Sequence, residues 1–441
     1  MSDLTIQLKW MSAESGDPCV RATAASLGVF LDETSLTRNE DIWTRTVSDE
    51  VFISAYPLAQ WFASSWWRLN HEPLPTQGNQ PTHEWRMAHE LGAANHGFVW
   101  PRVVMASDGE SMQVWATPLM TPDQSVRYLQ GLPAPRSIAI ERFQSSVGQF
   151  IQDTLSRLDA KELGGSNLAQ LWALIQEDQA DVESRRRRTL EAQLGFDAEE
   201  CPADILEAAL QWRSRVGEIA LSEIAPAIAQ SGGNPALAAI GHLATMPGIV
   251  AKPEVRFDTI GPPVAGMPWE RASHAANSLR AHIGNAAARV SDRELHELLG
   301  VSRDQVQSSA PQNVREPVAV AIPDGNGRLM IVPRKRNPRG KRFELARILG
   351  EHLREDHETR WLASTDLPTS RQKYQRAFAA EFLCPFSALE SYLDGDHSSP
   401  AIEDAAEHFD VGELTVQAQL ANHGLIAPPQ FAASMPYRMA V

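Results

Sequence analysis

A mixed α+β fold spread over several domains is what the sequence predicts, and three observations predict it. The chain has 441 residues, too many for one ordinary hydrophobic core. Residues 1–135 alternate apolar and polar side chains in short runs separated by turn signals, the pattern of strands. Residues 136–250 repeat apolar side chains at three- and four-residue intervals, the pattern of helices.

Composition narrows the class. Hydrophobic residues make up 43% of the chain and charged residues 22%, as in a soluble globular protein. No run of about 18 uncharged apolar residues is present, and the start MSDLTIQLKWMSAESGDPCV lacks the basic and apolar segments of a signal peptide. A cytoplasmic location and no membrane partner are therefore expected. A formal charge of −15 argues against coating nucleic acid through overall electrostatics, although local basic patches are compatible with it. Cys19, Cys201 and Cys384 lie far apart without a CxxC pair, which predicts buried thiols rather than a disulfide framework or a thiolate zinc site.

The elements follow in order. Within residues 1–135 fall eight of the twelve tryptophans, at positions 10, 43, 61, 66, 67, 85, 100 and 115. EVFISAYPL and SMQVWATP read as strands, and HEWRMAHELGAANH reads as a helix, giving a Trp-rich α+β domain. The middle domain, 136–250, holds three helical stretches, ERFQSSVGQFIQDTLSRL, NLAQLWALIQEDQADVESRRRRTLEAQLGF and PADILEAALQWRSRVGEIALSEIAPAIA, with GGS and SGGNP as punctuation. A Pro/Gly-rich linker is expected over 251–267. Beyond it, WERASHAANSLRAHIG and SDRELHELLGVSRDQV are helical, the second with Ser291 as N-cap and Glu294 three residues on. VAVAIPDGNGRLMIVP alternates on both sides of Asp324–Gly325–Asn326–Gly327 and predicts a β-hairpin.

The stretch after that hairpin, KRFELARILGEHLRED, carries the functional question. With the later RQKYQRAFAAEFLCP it resembles the ImmA/IrrE family of metallo-endopeptidases, through Arg342, Phe343, Leu345, Ala346, Leu349 and Gly350 and then Phe378, Ala379, Ala380, Glu381, Leu383 and Pro385. The resemblance covers residues 268–427 and implies a zincin-like domain followed by a helical tail, with a short C-terminal segment, 428–441, beyond. The family's helix carries His-Glu-x-x-His, because residues four apart share a helix face and two imidazoles grip one zinc ion, while the glutamate activates its water. In this chain the first histidine position holds Arg347, the glutamate position Ile348 and the second histidine position Glu351; the third ligand falls at Gln372 to Tyr374, without a carboxylate. A permanent guanidinium opposes a dication, so no zinc, no other cofactor and no catalytic residue are expected. Arg347 and Glu351, four apart, are expected to pair with each other. A polar cleft lined by Arg347, Glu351, Gln372 and Arg376 is the candidate site, with Ile348 and Glu381 in the degenerate set.

Other constellations stand beside it. His352 and Asp356, with Glu355 and His357 nearby, form a rotated possible metal pair, and a solvated helix end is the simpler alternative. His89-Glu90-Leu91-Gly92 copies the start of the zinc motif, but Ala93 stands where the second histidine belongs and His96 lies two turns on; a packed, hydrogen-bonded histidine is the simpler reading. PRKRNPRGKR, residues 333–342, could follow a phosphate backbone through Arg334, Lys335, Arg336, Arg339 and Lys341, or be a solvated loop. ESRRRRT, 183–189, reads as a charged helix face, and 401–426 as a helical tail.

The family commonly cuts a repressor partner in stress responses or mobile-element control. The resemblance without its ligands implies a regulatory protein that binds another protein, a repressor or an effector, in stress-response or phage-defence circuitry. The alternatives are a metallo-endopeptidase or other hydrolase with non-standard residues, such as Glu351 with Glu381, and a nucleic-acid-binding regulator using 333–342.

Overall fold

The computed structural model describes residues 1–76, 78–121, 124–230, 238–262, 264–309, 317–354 and 360–427. It is mixed α+β, and its described residues divide into two compact units, one over Met1–Cys201 and one over 202–427. No described helix is long and apolar enough to cross a membrane.

In the N-terminal unit the strands are β1 (Leu4–Trp10), β2 (Ala24–Leu31), β3 (Thr34–Ser35), β4 (Asn39–Asp41), β5 (Thr46–Ser48), β6 (Val51–Ser54), β7 (Arg102–Ser107), β8 (Ser111–Thr117), β9 (Val126–Tyr128) and β10 (Arg136–Ala139). They pair antiparallel in three small sheets: β1-β2-β3 with β6 also on β2, β10-β8-β7, and β5-β4-β9. The helices are α1 (Pro18–Ala22), α2 (Ala55–Ser64), α3 (Trp66–His71), α4 (His83–His89), α5 (Ile140–Asp159), α6 (Asn167–Ala180) and α7 (Val182–Gln193). Alternation explains the sheets: Leu27, Val29 and Leu31 on β2 face the same core as Leu58, Ala59 and Phe62 of α2. Phe62 meets Phe143 and Phe150 of α5 edge-on, with centroids 6.4 and 6.1 Å away, and Trp66 meets Trp172 of α6 at 5.1 Å.

The C-terminal unit contains α8 (Ala203–Val216), α9 (Glu218–Ala229), α10 (Ala238–Thr245), β11 (Ile249–Ala251), α11 (Pro268–His282), α12 (Asp292–Leu299), α13 (Arg303–Ser308), β12 (Val318–Pro323), β13 (Leu329–Val332), α14 (Pro338–His352), β14 (Leu362–Thr365), α15 (Ser370–Leu383), α16 (Phe386–Leu393), α17 (Ser399–Phe409) and α18 (Glu413–Asn422). Its sheet runs β11-β13-β12-β14, antiparallel throughout. The predicted hairpin is β12–β13, and Ser291 and Glu294 form the capping box that starts α12.

The domain division differs from the one predicted. Residues 136–250 are shared between the two units: α5, α6 and α7 cover α2 and α3 of the N-terminal unit, while α9 packs on β14 of the C-terminal unit. An amphipathic helix needs a partner for its apolar stripe, and these helices find theirs in elements distant in sequence. The expected linker is no plain connector either, since its first residue, Ala251, ends the edge strand Ile249–Ala251 of the second sheet and Phe257–Ile260 forms a 3₁₀ turn. Two predicted helical stretches are broken in the middle, at Asp181, which caps α7, and at Gly217, whose φ of 89° separates α8 from α9.

Candidate functional site

The candidate site lies between α14, α15 and the end of β14. Asn337 caps α14 by accepting from the Gly340 N–H, and Pro338 occupies the first turn, where no backbone donor is needed. One turn from the C-terminus stands Gly350. A Cβ there would overlap the ring of Phe378, so glycine allows α14 to touch α15. This close approach brings Arg347 and Glu351, neighbours on one helix face, against Arg371, Gln372 and Gln375.

Arg347 is 3% exposed and points inward. Its Nη2 donates to the Thr365 carbonyl at 2.6 Å and to Gln372 Oε1 at 2.5 Å, with Gln375 Oε1 at 3.4 Å; its Nε has no hydrogen-bond partner among the described residues. Gln372 is held in that orientation because its Oε1 also accepts from Thr365 N–H at 2.9 Å and its Nε2 donates to the Ala363 carbonyl at 3.1 Å. Gln375 Nε2 donates to Ala363 O at 2.8 Å and to Glu351 Oε2 at 3.0 Å, and the other oxygen of Glu351 is ion-paired with Arg371. The result is a continuous buried network from a strand end to two helices.

Further charges surround it. Arg334 bridges Glu344, Nε to Oε1 at 2.9 Å, and Asp366, Nη2 to Oδ1 at 2.7 Å. Arg376 donates to the Leu367 carbonyl at 3.1 Å. From α9, Glu223 accepts from Thr369 Oγ1 at 2.8 Å. Burial, with repulsion from Arg376 and Arg334, pushes the Arg347 guanidinium down to about 9, and burial takes Arg376 to about 10. Burial raises Glu223. At Asp366 burial is outweighed by the hydrogen bonds and charge of Arg334 and by the charges of Lys335 and Arg347, which hold its carboxyl at about 2.

These residues do not fit a zinc ion. Arg347 offers donors only, Ile348 lies in the core at 1% exposure, and both oxygens of Glu351 are engaged by Arg371 and Gln375. Among the described residues no group of three or more His, Cys, Asp or Glu side chains is arranged to hold a metal.

Several expectations are corrected. Arg347 and Glu351 do not pair with each other; each reaches a partner on another element, because the close α14–α15 contact offers better-placed groups than the exposed-helix geometry the spacing assumes. Glu381 is not in the cleft. It accepts from Asn277 of α11 at 3.1 Å and from Gln419 of α18 at 2.8 Å, sharing no partner with Glu351 among the described residues. Gln372 joins Arg347 as expected, whereas Arg376 sits beside them on Leu367.

The basic loop is not a free cationic surface. The Arg334 side chain is 4% exposed and committed to Glu344 and Asp366, Lys335 lies 3.8 Å from Asp366, Arg339 pairs with Asp410 at 3.2 Å, and Lys341 donates to the carbonyls of Val306 and Ser309. Arg336 is exposed. The rotated pair His352/Asp356 falls partly outside the described residues, as do Glu355 and His357; His352 Nε2 lies 3.1 Å from the Val255 carbonyl. In the N-terminal unit α4 ends at His89, so His96 is not two turns along the same helix; it follows a 3₁₀ turn, Leu91–Ala94. His89 is buried, with Nδ1 2.8 Å from the Met105 carbonyl and Nε2 3.1 Å from Glu72.

Sequence reasoning missed Glu223, Glu344, Thr369 and Asp366. Glu344 carried a faint signal, as an acid set among apolar residues directly after a basic loop; Asp366 and Glu223 carried none, lying in distant stretches of sequence. Compared with known proteins, the chain matches no family model, no curated protein and no solved structure, so the site is read from its own geometry.

Proposed function

We propose that this chain is a non-catalytic regulatory protein that acts by binding another protein, a repressor or an effector, through a framework resembling an ImmA/IrrE peptidase domain whose metal position is taken by an arginine. The observation that carries the reading is the seat of Arg347. Its guanidinium lies on Thr365 O at 2.6 Å and Gln372 Oε1 at 2.5 Å, linking α14, β14 and α15 where the resemblance would place an ion between the helices. A cation fixed by covalent attachment can hold such elements together without supplying a Lewis acid or an activated water. Stress-response or phage-defence circuitry is the setting the resemblance suggests.

The test is made on purified full-length protein. Zinc, measured by elemental mass spectrometry after dialysis, is expected well below one ion per chain, and a broad mixture of quenched peptides is expected to stay intact with or without added zinc. Stoichiometric metal, or hydrolysis that stops with chelator and with an Arg347→Ala change, would refute the reading.

A further inference from the structure

Arg376, on α15, is anchored by one nitrogen and leaves two others unused. Its Nη1 donates to the Leu367 carbonyl at 3.1 Å, while Nε and Nη2 have no hydrogen-bond partner among the described residues. Arg347 Nε is also without a partner, but it is closed off from solvent; the two nitrogens of Arg376 are still reached by it, and the residue is half-buried. Nε and Nη2 lie side by side on one edge of the guanidinium, the fork that meets both oxygens of a carboxylate. Elsewhere in this chain that edge is filled. Nε and Nη2 of Arg68 donate to Glu72 at 2.7 and 3.3 Å, and those of Arg86 donate to Glu90 at 2.6 and 3.1 Å. Arg376 presents the same fork with no carboxylate in it.

The charges around it are unbalanced in the same sense. Arg334, Lys335, Arg347 and Arg376 bring four positive charges, and Glu344 and Asp366 bring two negative ones. Glu223 offsets one more at most, and burial favours its neutral form. Neither of the acids that act on Arg376 fills the fork. Both oxygens of Asp366 accept from Arg334, at 2.8 and 2.7 Å, and both oxygens of Glu223 lie on Thr369 Oγ1, at 2.9 and 2.8 Å. A guanidinium set this deep without a paired counter-charge is costly, and an anion arriving from solvent relieves that cost. The excess is small, so a planar group of single charge suits the fork better than a phosphate dianion, which Asp366 repels more strongly.

We infer that the Nε/Nη2 edge of Arg376 is a receptor for a carboxylate of the partner protein, an Asp or Glu side chain that enters the fork as Glu72 and Glu90 enter those of Arg68 and Arg86. The inference rests on the reading of this chain as a binding protein and names the group its partner presents. Its readout is the Arg376 Nε–H signal, which is separate from the metal content and peptide hydrolysis that decide that reading. Full-length protein carrying nitrogen-labelled arginine is followed by NMR at fixed ionic strength as acetyl-Ala-Ala-Glu-Ala-Ala-amide, its Gln- and Lys-centred counterparts, acetate or inorganic phosphate is added. The signal is identified by its loss in Arg376→Lys. It is expected to shift saturably with the Glu peptide, at a concentration at least tenfold lower than with phosphate, and to stay in place with the Gln and Lys peptides. Arg376→Lys keeps the charge without the fork. It is expected to weaken binding of the Glu peptide, read on the peptide's own carboxyl signal, at least fivefold with an unchanged circular dichroism spectrum. No shift with the Glu peptide, an equal shift with the Gln peptide, a response to acetate alone, phosphate binding as tight as the carboxylate, or undiminished affinity in folded Arg376→Lys would overturn it.

Discussion

Each unit has a stretch that can be compared with the zinc signature His-Glu-x-x-His. In the N-terminal unit His89-Glu90-Leu91-Gly92 keeps the letters of the zinc signature, but α4 stops at His89 and its imidazole is spent on Met105 O and Glu72. In the C-terminal unit the comparable positions hold Arg347, Ile348 and Glu351 instead, yet α14 runs through them to His352 and Gly350 keeps the helix in contact with Phe378 of α15. One region has letters without the helix, the other a helix without the letters. A motif is a statement about where lone pairs point, and spelling supplies that only when the backbone continues beneath it.

The largest effect expected from this contrast is the gain of a metal site. Replacing Ala93 with His completes the letters in the first region and is expected to bind no zinc, because residues 89 and 93 do not share a helix face there. Replacing Arg347→His, Glu351→His and Gln372→Glu together in the second region is expected to give zinc binding at micromolar affinity or tighter, about 8 kcal/mol. Equilibrium dialysis measures both. Zinc on the Ala93→His protein, or none on the triple variant while it remains folded, would break the comparison.

Next in size is removal of Arg347 alone. Arg347→Ala leaves the Thr365 carbonyl without the guanidinium and opens a hole between the helices, at a cost of about 3 kcal/mol in the unfolding of the C-terminal unit. Arg347→Lys, with one compact charge in place of the fork, is expected to recover only part of this. Chemical denaturation of the full chain reads both; a cost under about 0.5 kcal/mol for the alanine would show that the guanidinium holds nothing together.

Two acids sharpen the picture through pH. Glu223 is raised by burial, so the folded protein binds its proton more readily than the unfolded chain does; its contribution is complete below the ordinary carboxyl range and is lost as pH rises through the folded value. Glu223→Gln, which keeps an acceptor for Thr369, is therefore expected to raise the melting temperature at pH 7 and to lose that advantage by pH 4. Asp366 is shifted the other way, to about 2, so its stabilisation is present above the ordinary value and disappears as pH falls toward 2. Its side chain is 49% exposed and screened by water, so Asp366→Asn is expected to cost about 1 kcal/mol at pH 7 and only a small part of that near pH 2. Thermal melts across that range read both substitutions.

What was legible in the sequence is what depends on neighbours in the chain. The β12–β13 hairpin follows from alternation around Asp324–Gly327, and the start of α12 from Ser291 and Glu294, because turn and cap chemistry act over three or four residues. The unit boundary near Cys201 was not legible, because nothing in α5 or α6 states that its apolar stripe belongs on α2, far upstream. The site was legible by half. Arg347, Gln372 and Glu351 are together, but the i,i+4 rule assigned Arg347 to Glu351, when Arg371 and Thr365 reach them from another helix and a strand. Glu223 enters from α9, and no spacing rule connects it to Thr369.

The smallest effect tests the basic loop. On spacing alone, 333–342 reads as a cationic surface; in the fold Arg334 is enclosed by Glu344 and Asp366, and Arg339 shares Asp410 with Arg289, at 3.2 and 3.0 Å. The Arg339 side chain is 44% exposed, and a pair in that setting contributes about 0.2–1 kcal/mol at most. Arg339→Ala is accordingly expected to change stability by less than about 0.5 kcal/mol. If the loop's charges are consumed internally, duplex DNA at low salt should show no association that weakens linearly with the logarithm of salt, in the parent or in the variant. Retention of DNA by the parent, reduced by Arg339→Ala with a shallower salt slope, would mean that the loop exchanges its acidic partners for phosphates, and binding of nucleic acid would then replace binding of a repressor or effector as the proposed function.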